Sequence, residues 1–163
     1  MTIRKDLAIG DAGERLVMSL LDSTNIVSSR QNVGKKFSGH DIDAILGLMA
    51  FTIEVKNDVY AIRSGNIAIE TFNPKSGTAS GIMITTSTLW AHLTDEVHIA
   101  NTLLLRKWVQ ETTPKRIIGA AGDGNATIFL YDKAVIFHDP LFTRIDNLSP
   151  KDREEAIVAQ INL

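Results

Sequence analysis

The stretch FTIEVKND, residues 51–58, ends an apolar run by placing Glu54 and Lys56 two positions apart. Side chains in a strand alternate with a period of two, so Glu54 and Lys56 share one face while Ile53 and Val55 point the other way. As a surface ion pair they would contribute under about 1 kcal/mol. At the edge of a core they can do chemistry: the carboxylate can bind a divalent cation, and the ammonium can face a phosphate or an attacking water. Two further carboxylates, Asp41 and Glu14, extend the set. If Gly47 and Leu48 form a hairpin turn, antiparallel pairing puts Asp41 opposite Glu54 with both side chains on one face. Carboxylates that close repel unless a cation lies between them. An all-oxygen ligand set favours Mg²⁺ or Mn²⁺ over zinc. Lys56 on the same face could orient a hydroxide or stabilise charge developing on phosphorus. Asp43 points to the same face as Asp41 and is the alternative ligand; the hairpin pairing favours Asp41.

These residues need a helix and a hairpin to hold them. Residues 3–22 predict an amphipathic helix, with Leu7, Ala8, Leu16, Val17, Leu20 and Leu21 near helical spacing and Gly10 and Gly13 weakening its first half. NIVSSRQNV (25–33) reads as a short strand, followed by a basic loop, GKKFSGH. DIDAIL and AFTIEVK are strand-like runs joined at Gly47, where a glycine in the first turn position favours a type II′ turn. SGNIAIETF is an alternating strand ended by Asn73-Pro74. TTSTLWAHL (85–93) predicts a short helix opened by a threonine or serine cap. EVHIANT reads as a strand, LLLRKWVQET as a helix ending before Pro114, and GAAGDGNATIFLYDKAVIF as turns and two strands. SPKDREEAIVAQIN is a helix capped by Ser149, with Pro150 in its first turn and Asp152 completing a capping-box-like pattern.

At 163 residues the chain suits one domain, 1–163, of α/β or α+β type. With 44% hydrophobic and 22% charged residues it has the composition of a folded soluble protein. No apolar run approaches the roughly 20 residues needed to span a bilayer. MTIRKDLAIGDAGERL lacks the long apolar segment of a secretory signal, so the expected location is cytoplasmic. The absence of cysteine removes disulfides, thiolate zinc sites and cysteine nucleophiles. A net charge of −2 does not advertise nucleic-acid binding, although a local basic groove matters more than the sum.

Asp41 followed by EVK at 54–56 resembles the PD-(D/E)XK nuclease superfamily, whose fold is restriction-endonuclease-like. Glu14 is similar to the extra helix glutamate of its resolvase-like branch, and the step from Asp41 to Glu54 resembles that of Holliday-junction resolvases. His40 stands where the family's proline would precede the aspartate. The order HDIDAI, FTIEVKND, NIAIE and SGI…TT further resembles small phage-type nucleases, over residues 10–95. This resemblance implies an α/β domain with a central mixed β-sheet flanked by helices. It implies a Mg²⁺-dependent DNA endonuclease, with Mn²⁺ as substitute, that leaves 5′-phosphate and 3′-hydroxyl ends. Asp41, Glu54 and Glu14 would be the metal ligands and Lys56 the residue positioning the attacking water. Selectivity for branched DNA, and endo- against exonuclease action, stay open. Enzymes of this kind often act as homodimers, and AILGLMAF leaves apolar material for an interface. The rival from another class is a catalytically silent DNA-binding or structural protein that keeps the fold.

Lys35, Lys36, Arg63 and Lys75 flank these residues in sequence and would track a DNA backbone, against the default of solvated surface. Ser80 and Gly81 would turn an amide or hydroxyl toward phosphate, or make a purely structural turn. Glu70, in phase with Ala68 and Asn66, is either an exposed strand carboxylate or a group on the active face. Trp90 and Trp108 read as core. His92 and His98 lack metal-ligand spacing, and GAAGDG lacks the following lysine and hydroxyl residue of a phosphate loop.

Overall fold

Gly13, which weakens the first helix in isolation, is required by the helix's neighbour. A Cβ at Gly13 would come 2.8 Å from the Cβ of Asn57, and the Asn57 amide donates to the carbonyl of Ile9 at 2.8 Å. The missing side chain lets helix α1 (Ile3–Asp22) lie against strand β3 (Met49–Asn57). The computed structural model describes residues 3–30, 39–121 and 126–163, with side chains from residue 8 onward. Val17 and Leu21, one turn apart on α1, are fully buried, whereas Leu16 is half exposed.

Strand β1 (Val27–Arg30), β2 (Ile42–Leu46), β3, β6 (Leu89–Leu93), β7 (Val97–Asn101) and β10 (Thr143–Arg144) form a six-stranded sheet in the order β1-β2-β3-β6-β7-β10. It is mixed: β3 and β6 run parallel and the other neighbours antiparallel. Strands β4 (Asn66–Asn73), β5 (Thr78–Ala79), β8 (Arg116–Ala121) and β9 (Ala126–Asp132) form a second, antiparallel sheet in the order β5-β4-β9-β8. Helices α2 (Ala61–Ser64), α3 (Thr102–Glu111), α4 (Lys133–Ile136) and α5 (Pro150–Ile161) complete an α/β architecture. No helix among the described residues is long and apolar enough to cross a membrane.

At its centre, in β6 and β7, the six-stranded sheet is buried on both faces. On one, Ile42, Ile53, Leu89, Ala91 and Ile99 pack with Val17 and Leu21 of α1 and Ile157 of α5. On the other, Trp90 and Ala100 pack with Ile67 and Ile69 of β4, Tyr131 of β9, and Leu105 and Val109 of α3. Arg153 of α5 is buried, with no carboxylate partner among the described residues, and donates to the carbonyls of Ile145, Leu20 and Leu148 and the hydroxyl of Ser23, tying α5 to α1.

The hairpin, β4, β7, α3 and α5 form where their patterns predict them. Positive φ at Gly47 (59°) permits the tight β2–β3 turn, and Ser149 accepts from the Asp152 amide at the head of α5. Residues 85–93 are not a helix. Leu89–Leu93 is strand β6, every residue of it buried, because it lies between β3 and β7 with a core on each face. Such a strand shows a continuous apolar run rather than alternation. The hydroxyls that resemble a cap seat it instead: the Thr52 amide donates to Thr88 Oγ1 at 3.2 Å and the Thr88 amide to Thr52 Oγ1 at 3.0 Å. Residues 119–121 end β8 and 126–132 form β9, the two expected strands, and the stretch closes on helix α4, capped by Asp132, whose carboxylate accepts from the Ala134 amide.

Candidate active site

The hairpin register pairs Ile42 with Ile53, which carries Asp41 to the position across from Glu54. The Asp41 amide donates to the Ile53 carbonyl at 3.0 Å, and its carboxylate accepts the Val55 amide at 2.8 Å. Asp41 is thus fixed at the mouth of the hairpin by main-chain contacts on both its backbone and its side chain. Asp43 pairs with Thr52, one pleat farther from Glu54, and its carboxylate lies 2.9 Å from the His40 ring.

Burial and crowding of like charge dominate the electrostatics. The Glu54 carboxyl is pushed up to about 8, first by burial and then by the charge of Asp41; the Thr85 hydroxyl and the Lys56 ammonium oppose the shift. Asp41 is also raised, by burial, against the Val55 amide and the neighbouring His40, Arg30 and Lys56. Glu14 is raised by burial, against its hydrogen bond from Arg30, and it feels the charge of Asp41. Three carboxylates from α1, the approach to β2, and β3 therefore share one field, with Lys56 acting on two of them.

No protein-family model, curated protein or solved structure matches this chain.

The facing pair Asp41 and Glu54 fits the hard, all-oxygen donors that a Mg²⁺ or Mn²⁺ ion takes, and a cation between them would relieve the repulsion that raises Glu54. Among the described residues no three Asp, Glu or His side chains converge closely enough to hold a metal as they stand. Glu14, the third expected ligand, is turned to Arg30 at the end of β1, whose Nε donates to its Oε2 at 2.5 Å. Arg30 and Thr85 are absent from the sequence-based set of site residues. Thr85 is buried, and its hydroxyl reaches Glu54 Oε2 at 3.2 Å and the Gly39 carbonyl at 2.8 Å. Neither leaves a local signal, because each meets its carboxylate across a long stretch of chain.

Lys56 is paired in register with His92 on β6, a fully buried imidazole. Next along the same face, the buried carboxylate of Asp58 accepts the amides of Ala61 and Ala68, at 3.2 and 2.8 Å, and lies 3.5 Å from His92 Nε2. Despite burial Asp58 is held below the usual carboxylate range by His92 and these amides. His92 is lowered by burial and accepts from the Trp90 indole at 3.3 Å on its other nitrogen. Asp58 and His92 join β3, β6, α2 and β4 behind the site. Trp90 is core, as expected, and Trp108 donates its indole N–H to Asp139.

The expected DNA-contacting residues are scattered. Lys35 and Lys36 lie outside the described residues. Arg63, on α2, and Lys75, in the turn after β4, are exposed. Ser80 is buried, so its hydroxyl is not presented at the surface, and it finds no hydrogen-bond partner among the described residues. Glu70 stands on β4, in the sheet that does not carry Asp41 and Glu54. Gly81 is held close to it: a Cβ there would meet the Glu70 carbonyl at 2.3 Å, and its φ is +55°.

Proposed function

We propose that this chain is a metal-dependent DNA nuclease of the PD-(D/E)XK type, with a restriction-endonuclease-like fold. One observation carries the reading: Asp41 is fixed against β3 across from Glu54, whose carboxyl is pushed up to about 8 by burial and by Asp41. Lys56 follows on the same face of the strand and acts electrostatically on both. A surface ion pair would have no reason to sit behind this much desolvation, whereas a cation site needs concentrated, partly dehydrated negative charge.

Asp41 and Glu54 would hold a Mg²⁺ ion and Glu14 would complete its shell. That ion supplies Lewis-acid stabilisation of charge on the phosphate and on the leaving 3′-oxygen. Lys56 orients the attacking water in line with phosphorus and offsets negative charge as it develops there. The Thr85 hydroxyl, 3.2 Å from Glu54 Oε2, helps to hold that carboxylate in place. Val27, Ile45 and Leu48 are exposed, with Val27 opposite Ile45 in the β1–β2 ladder, and this apolar area at the hairpin end supports a homodimer.

The experiment is a cleavage panel of linear, nicked, flapped and four-way DNA, with and without Mg²⁺, run on the wild type and on Asp41→Asn. Metal-dependent cleavage of any substrate by the wild type alone supports the reading. DNA binding with no cleavage of any member would replace it with a silent DNA-binding protein.

A further inference from the structure

The guanidinium of Arg30 divides itself between two carboxylates one helical turn apart on α1. Its Nε donates to Glu14 Oε2 and its Nη2 to Asp11 Oδ1, both at 2.5 Å. The Arg30 and Glu14 side chains are only 17% and 16% exposed, while that of Asp11 is 46% exposed. The inner arm is therefore a part-buried, charge-assisted contact and the outer arm a solvated one. The same guanidinium also opposes the burial that raises Asp41. Arg30 thus serves as counter-ion to Glu14 and Asp11 and also acts on Asp41, at one side of the carboxylate cluster.

We propose that Arg30 is a positioning residue that holds Glu14 off the metal site, with Asp11 the anchor that keeps the guanidinium when Glu14 turns to the metal. The proposal rests on the metal-site reading of Asp41 and Glu54. Two arms make the exchange feasible. An arginine with a single carboxylate partner would be stranded when that partner left, at the cost of a desolvated, unpaired cation. Arg30 keeps Asp11, so only the inner contact is surrendered. A planar fork can serve two carboxylates in this way, whereas a lysine is a single point charge.

The test is calorimetric Mn²⁺ titration without DNA. Arg30→Gln should tighten Mn²⁺ binding about tenfold, the scale of one hydrogen bond to a charged group. Because the effect passes through Glu14, the gain should vanish when Arg30→Gln is made in a Glu14→Gln background. An equal gain in both backgrounds would show that Arg30 acts only through the general field, and overturn the proposal, as would no gain in either. Should Arg30→Gln fail to fold, Asp11→Ala, at a half-exposed position, carries the same test with opposite sign. It leaves Arg30 wholly to Glu14 and should weaken binding severalfold with Glu14 present and not in its absence; the same change in both backgrounds rejects the device. Asp41→Asn separates the two readings. If the wild type binds no Mn²⁺, or Asp41→Asn binds like the wild type, the metal site and the device fall together. If binding needs Asp41 and ignores Arg30 and Asp11, the device alone falls.

Discussion

The Asp41 carboxylate accepts the backbone amide of Val55 at 2.8 Å, a contact that anchors a side chain of one hairpin strand to the main chain of the other. It puts Asp41 beside Glu54 without any pairing between the two carboxylates. Asparagine at position 41 can accept the same amide through its carbonyl, so Asp41→Asn is expected to keep the fold and lose Mg²⁺-dependent cleavage. Asp43→Asn, at a residue turned toward His40, is expected to retain most of it. Circular dichroism and cleavage assays on both variants decide this. A dead Asp43→Asn beside an active Asp41→Asn would reverse the assignment.

Lys56→Ala is expected to fold and to bind Mn²⁺, since an ammonium is not a metal ligand. Single-turnover cleavage should fall by at least about 100-fold, the scale for losing a positioned charge-stabilising group. Cleavage at the wild-type rate would remove Lys56 from the reaction.

Stability in the presence of a chelator should depend on Glu54. Its carboxyl titrates near 8 in the folded protein against an ordinary 4.5, so the folded state binds more protons across that interval. Stability is then fully present below the lower value and lost as pH rises through the higher one. His92 and His98, lowered from 6.5 by burial, act in the opposite sense below that pH, so the Glu54 slope is cleanest from pH 6.5 to 8. The urea midpoint should fall over this interval in the wild type and stay nearly level in Glu54→Gln. A wild-type midpoint that stays level instead would mean that Glu54 is ionised throughout.

Thr85→Val removes a buried hydroxyl whose one proton lies within reach of Glu54, the Gly39 carbonyl and Ser87. A loss of about 1–2 kcal/mol in urea unfolding is expected, the usual scale for leaving buried polar partners unmet. The Glu54 titration should move higher, because the hydroxyl favours the ionised carboxylate. Unchanged stability and an unchanged pH profile would make the contact incidental.

What the chain revealed unaided is what short-range rules specify. A glycine turn sets the register of a hairpin, and the register puts residue 41 across from residue 54, so the central acidic pair and its lysine were legible from spacing alone. A serine cap followed by proline announced α5 in the same way. Strand β6 was not legible. Its identity comes from burial between β3 and β7, which erases the alternation by which a strand is recognised. The partners of the carboxylates belong to the same class. Arg30 reaches Glu14 across 16 residues and Thr85 reaches Glu54 across 31, and neither separation has a period that local backbone geometry could impose. Only the packing of α1 against the sheet and the parallel pairing of β3 with β6 bring those side chains together.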